Sequence, residues 1–237
     1  MIEIKTVGSS SSGNAYILRS NARSLLLECG VAWPSIQRET NFRTAALDGC
    51  LISHGHGDHC KSAKNALKAG VDIWATEETF SQIGLEGHRN YRCKKVTPNR
   101  RFMIAGYWTV HPFDTEHDCP GSVGFVISDQ DDRLAFITDT GFVRYKIPDV
   151  TILMIEANFS EAILAENIQS ERVHPAVGKR IREKHMSVER VLDFLKANDT
   201  SRLREIRLLH LSDGNSNAEL FKATIQKATG IPTMVEG

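Results

Sequence analysis

Apolar and polar residues alternate from Ile2 to Val7, the period-two pattern of a strand with one buried face. The polar run GSSSSGN then predicts a turn, and Ala15–Leu18 and Ser24–Glu28 follow with β-suited side chains. Leu47–Ser53 is a further apolar run. In Lys61–Ala69, Ala63, Ala66 and Leu67 recur at helical spacing, and Gly70 ends the helix. Val71–Ala75 predicts a short strand, after which Thr76 caps a helix opening on Glu77 and Glu78. Short strands recur from Cys93 to Thr138: one near Val96, then Phe102–Ala105, Trp108–Phe113, Val123–Ser128 and Leu134–Thr138. Beyond them come a strand at Thr151–Ile155 and helical segments to about Ala197. A strand at Ile206–His210, a helix at Asn217–Thr229 and a last strand near Pro232–Val235 complete the chain. The clearest helix starts at Ser187, with Val188, Val191, Leu192 and Leu195 on one face.

Two strand-rich halves, each closed by helices, predict an α/β fold of two packed sheets with helices outside. No Pro/Gly-rich linker or repeat divides the chain, so residues 1–237 read as one domain. No stretch approaches the ~20 apolar residues of a membrane span, and the N-terminus lacks a signal-peptide pattern. The 5 cysteines form no CxxC pair, which argues against a disulfide framework or a cysteine zinc site and makes a reducing cytoplasm the default. Lys+Arg and Asp+Glu both number 29, and this neutrality argues against a broad nucleic-acid footprint.

The densest chemistry lies in SHGHGDHC, residues 53–60. His54 and His56 are two apart and can aim both rings at one ion, while Asp58 and His59 can face a second. Gly55 and Gly57 permit the backbone angles this requires. Imidazole with carboxylate suits zinc, manganese or iron better than calcium. Four ligands cannot saturate two ions, so others are expected at later strand ends. His117 follows VHPFDTE, Asp139 follows LAFIT and His210 follows IRLL.

HGHGDH resembles the HxHxDH signature of the metallo-β-lactamase fold, and His117, Asp139 and His210 match the remaining ligand positions in order, from Gly8 to Asn217. The resemblance implies an αββα sandwich of two mixed sheets flanked by helices, with two divalent ions, zinc first and manganese as the alternative. It implies that His54, His56 and His117 hold one ion, that Asp58, His59 and His210 hold the other, and that Asp139 bridges them. Glu28 stands where many members carry Asp and is expected to support the metal loop without binding metal.

Two ions ~3.5–4 Å apart suit displacement at phosphorus by a bridging hydroxide. His185, in KHMSVERV just before a helix, occupies a place similar to that of a non-ligand histidine in tRNase Z, PhnP-type phosphodiesterases and YycJ-type nucleases. That likeness implies a general acid towards the leaving group, so Asp58 and His185 are the expected catalytic residues. GSSSSGN and HLSDGNSN are similar to segments of YycJ-type proteins. Ser9 to Ser12 are candidates for phosphate binding, and Asp118, Ser212, Asp213 and Asn215 for orienting ligand rings. His88, His111 and His174 read as structural or solvent-exposed, and the basic clusters at 92–95 and 99–101 as solvated strand ends. Residues 156–187 resemble phage and prophage enzymes of the anti-Pycsar type. This implies a homodimeric phosphodiesterase that hydrolyses cyclic CMP- or UMP-type signals as counter-defence in the host cytoplasm. The alternative is a YycJ-like DNA exonuclease, and a non-enzymatic metal-binding module is a distant third.

Overall fold

The computed structural model describes residues 1–85 and 91–237, and His88 lies outside them. The described strands form two mixed sheets flanked by helices, as the sequence predicts. The chain divides into two compact units, Met1–Asp114 with Cys119–Asp132, and Thr115–Asp118 with Arg133–Gly237.

The first unit opens as an antiparallel meander of β1 (Glu3–Gly8), β2 (Ala15–Ser20) and β3 (Arg23–Leu27). Three strands then add in parallel: β4 (Cys50–Leu51), β5 (Ile73–Ala75) and β6 (Cys93–Lys95). Parallel neighbours need crossovers. These are supplied by α1 (Trp33–Glu39), by α2 (Gly57–Cys60) with α3 (Ala63–Lys68), and by α4 (Glu77–Gln82). Ile17, Leu26, Ile52 and Ile73 from the sheet region, Ile36 from α1, Ala66 from α3 and Phe80 from α4 share one buried cluster. The unit also holds an antiparallel set, β7 (Phe102–Ile104), β8 (Trp108–Asp114) and β9 (Val123–Ser128).

The second unit is built on parallel strands β10 (Arg133–Ile137), β11 (Ile152–Glu156), β12 (Glu205–Leu209) and β13 (Thr233–Val235). Every residue of β11 is buried, the reading expected of a parallel strand covered on both faces. Its helices are α5 (Glu161–Gln169), α6 (Pro175–Lys184), α7 (Val188–Ala197) and α8 (Ala218–Thr229). Ser187 caps α7 by accepting from the Arg190 N–H, and Asn217 caps α8 by accepting from Leu220. Gly230 ends α8 in the left-handed conformation that favours glycine.

Three local features depart from the sequence expectation. Helix α1 carries no predictive periodicity, since Ile36 is its one buried residue. Strand β4 has two residues where a longer run was expected. The ligand-rich stretch closes as the short helix α2, with Asp58 in the first turn, where a carboxylate complements the helix N-terminus.

Candidate metal centre

The first unit contributes His54, His56, Asp58 and His59. His54 is buried, and its Nδ1 shares a 2.9 Å hydrogen bond with the Ser53 hydroxyl. Its Nε2 lies 3.1 Å from His56 Nδ1. Two ring nitrogens this close require a proton or a cation between their lone pairs, so the pair fits a metal ion. Asp58 Oδ2 lies 3.3 Å from His59 Nε2. His59 is fully buried.

Buried neighbours hold this stretch. The Ser53 N–H donates to Glu28 Oε1 at 3.0 Å, and Glu28 Oε2 stands 3.6 Å from His59 Nδ1. Glu28 thus reaches both Ser53 and His59 of this stretch. Asn14 receives Gly30's N–H, donates its own N–H to the Asp58 carbonyl at 2.7 Å, and sets its amide 3.3 Å from His59 Nε2. Among the residues of the GSSSSGN turn, Asn14 is the one that these contacts place at the ligand stretch. Ser9 accepts from the Tyr16 hydroxyl, and Ser10 and Ser12 bond each other. Gly30 allows the close approach, because a Cβ there would meet the Asp58 carbonyl oxygen at 1.6 Å.

The second unit contributes His117, Asp139, Glu156, His185 and His210. Asp139 lies just beyond β10, Glu156 ends β11 and His210 directly follows β12. The carboxyl ends of parallel strands, where α/β proteins place ligand chemistry, thus form one row. Asp139 Oδ1 is 2.9 Å from His210 Nδ1, and its Oδ2 is 3.8 Å from His117 Nε2. A carboxylate with one oxygen towards each of two imidazoles suits a bridging ligand. The short segment Thr115–Asp118 is tied to this row. The Glu116 N–H donates to the Thr140 hydroxyl, and the Gly141 N–H to the Glu116 carbonyl. Asp118 lies 3.4 Å from His117 Nε2 and 3.5 Å from Arg180.

His185 caps the C-terminus of α6. Its Nδ1 meets Glu156 Oε1 at 2.6 Å, and the same oxygen lies 3.1 Å from His210 Nδ1. The second Glu156 oxygen accepts from the Thr140 and Met186 N–H groups at 3.2 and 3.1 Å. Burial alone would raise the Glu156 carboxyl, but the His185 charge and the two imidazole bonds outweigh it and hold the group below its ordinary value. Burial likewise pushes the His185 imidazolium down, and the adjacent Glu156 carboxylate more than offsets this, leaving it above its ordinary value. With Nδ1 committed to Glu156, Nε2 is the nitrogen that can deliver a proton. The His185 ring lies 5.9 Å from that of His117 and 5.6 Å from that of His210. Asp139, Glu156, His185 and His210 can converge donor atoms within 4.8 Å of one another.

Glu156 was not singled out from sequence. Its one signal is an acid closing the otherwise apolar run TILMIE. Ser212 and Asn215 bond each other, and Asn215 accepts from Ser160 N–H through its carbonyl, so they shape the loop after His210 while Glu156 meets its ring. His174 caps α6 by accepting from the Ala176 N–H, a structural role, and His111 lies half-buried in β8. Three acidic or imidazole residues of these rows have positive φ: Glu28 at 64°, Asp139 at 43° and His210 at 53°. Non-glycine residues adopt this conformation at a cost, typically where function over-determines the backbone.

Residues 23–206 match the family described as the beta-lactamase superfamily domain. Exodeoxyribonuclease WalJ of Streptococcus pneumoniae serotype 2 (strain D39) is 26% identical over 230 residues, covering 92% of this chain and 85% of that protein. Exodeoxyribonuclease YycJ of Bacillus anthracis is 21% identical over 243 residues, covering 95% and 88%. The crystal structure of the metallo-beta-lactamase fold protein YhfI from Bacillus subtilis shares the fold, with a TM-score of 0.76 at 16% identity over 99% of this chain and 95% of that one. The chain therefore belongs to the beta-lactamase superfamily and is a metal-dependent hydrolase of the metallo-β-lactamase fold.

Proposed function

We propose that the protein is a binuclear phosphodiesterase that acts as an exonuclease on DNA. The observation that carries the chemistry is the Glu156–His185 pair, set on the strand-end row that also holds Asp139 and His210. The choice of DNA is supported by the near full-length similarity to two exodeoxyribonucleases.

On this reading His54, His56 and His117 would hold one divalent ion, Asp58, His59 and His210 would hold a second, and Asp139 would serve both. Nitrogen and carboxylate donors suit zinc, with manganese as the alternative. Such ions supply an activated water and neutralise charge on the phosphoryl oxygens. The protein's own residues do the rest. Glu156 fixes the tautomer and orientation of His185 through Nδ1, and His185 gives its Nε2 proton to the departing sugar oxygen. Asp58 is both ligand and catalytic carboxylate, taking up the proton of the attacking water. Asn14 and Glu28 hold the ligand stretch in place.

A second reading, hydrolysis of cyclic CMP- or UMP-type signals by a phage-encoded homodimer in the host cytoplasm, is favoured by the overall neutral charge. Nucleic-acid affinity leans on Lys and Arg contacts to phosphate, and a cyclic mononucleotide needs few of them. No helix among the described residues is long and apolar enough to cross a membrane. One panel separates the two readings: end-labelled DNA, RNA and cyclic mononucleotides, each with zinc or manganese added. The exonuclease reading expects stepwise shortening of DNA. Turnover of cyclic CMP or UMP with DNA left intact would replace it by the second.

A further inference from the structure

Just past Asp139 the chain turns at Gly141 and runs out as a loop. The base of this loop is fixed. A Cβ on Gly141 would lie 2.4 Å from the Glu183 carbonyl oxygen, so the turn packs directly on the end of α6. Arg190, on α7, donates through one guanidinium nitrogen to the Gly141 carbonyl at 2.7 Å and the Arg182 carbonyl at 2.8 Å. Above this clamp the loop presents aromatic rings to solvent, with Phe142 56% and Tyr145 39% exposed.

Between the loop and α7 lies a cavity of about 280 Å³, lined chiefly by Phe142, Tyr145, Lys146, Met186, Arg190 and Phe194. It sits beside the strand-end row by direct chain connection. Met186 follows His185 and donates its N–H to Glu156, and Phe142 stands three residues beyond Asp139. The volume is at the low end for ligand pockets and suits one ring system better than a peptide segment. Cations stand at the margin: Lys146 and Arg144 line the cavity, Arg144 paired with Glu116, and Asp193 is the acid of the lining. An aromatic interior with a cationic margin is the combination by which proteins stack a base while holding its strand's phosphates.

We propose that this cavity is a base-binding subsite, seating the base of the nucleotide next to the phosphate that is cleaved. The inference rests on the exonuclease reading and adds to it the face that grips the strand. Phe142 supplies the stacking surface, Met186 and Phe194 enclose the base, and Lys146 faces the negative backbone.

The test uses the full-length metal-loaded protein and single-stranded oligodeoxynucleotides whose terminal nucleotides are intact or abasic. Wild type should cleave the abasic strand with a kcat/KM lower by about tenfold, the size of one base–aromatic stack. Phe142→Ala should lose about tenfold on the intact strand and nothing further on the abasic one, and Phe142→Trp should recover the loss. Because Phe142 is more than half exposed, metal content and thermal stability should match wild type. Equal wild-type rates on both strands would overturn the subsite while leaving the exonuclease reading standing. Equal losses of Phe142→Ala on both strands would do the same. If Phe142→Ala turned a dimer into a monomer in sedimentation yet still discriminated abasic ends, the cavity would be a self-association face and the proposal wrong. Absence of any DNA cleavage by wild type would remove the exonuclease reading and the subsite together.

Discussion

At the scale of single residues, the chemistry rests on side chains fixed before substrate arrives. Glu156 is fully buried and accepts from His185, His210 and two backbone N–H groups, so its orientation is over-determined. If His185 donates a proton to the leaving group, its removal should matter most where the leaving group is a poor one. His185→Ala is expected to slow DNA cleavage by ~10²–10⁴-fold, the usual scale of general acid–base loss. It should affect bis-p-nitrophenyl phosphate, whose leaving group departs without a proton, far less. Rates on both substrates, with metal content measured alongside, test this; equal losses, or loss of metal, would make His185 something other than the acid. Glu156→Gln probes the pair from the other side. The carboxylate holds the His185 imidazolium above its ordinary value, so the protonated form survives to higher pH. Without that charge the proton should leave earlier, moving the alkaline limb of kcat/KM to lower pH, and an unmoved limb would contradict the coupling. The candidate ligands could be picked out because histidines and acids at strand ends are rare and four of them crowd into HGHGDH. Glu156 could not, because its partners are 29 and 54 positions away in sequence.

At the scale of elements, parallel strands and short crossovers place the chemistry. Strands β10 to β12 run the same way, so the residues at their carboxyl ends come to one edge. In the first unit the turn of α2 is pressed against the end of the β3 strand region. The Cys29 N–H donates to the His59 carbonyl, the Ser62 N–H to the Cys29 carbonyl, and Gly30 packs on Asp58. Gly30→Ala forces backbone apart on both sides of that contact. It is expected to cost at least the ~1–3 kcal/mol of overpacking a tight interior and to weaken metal binding through Asp58 and His59. Thermal unfolding and metal titration of the variant read both effects; an unchanged melting temperature with full metal content would show that the approach does not matter. The capped helices α4, α7 and α8 could be read from Thr76, Ser187 and Asn217, because a capping side chain satisfies an N–H of the first turn. Helix α1 could not, with one buried residue and no capping side chain at Ala32.

At the scale of the whole molecule, His54, His56, Asp58 and His59 belong to the first unit, and His117, Asp139 and His210 to the second. Thr115–Asp118 belongs to the second unit although the chain on either side of it belongs to the first, and it brings His117 beside Asp139. The two-sheet architecture was readable from strand patterning, and the superfamily from the HGHGDH signature. Substrate choice was not, because histidines and acids of this kind serve many phosphoryl substrates alike and the charge total is neutral. We propose a two-metal phosphodiesterase acting on DNA. Its most direct test is to titrate metal-free protein with zinc, and separately with manganese, while following cleavage of end-labelled DNA. Activity should rise to its maximum at two ions per chain. A maximum at one ion, or two ions bound with the DNA left intact, would contradict it.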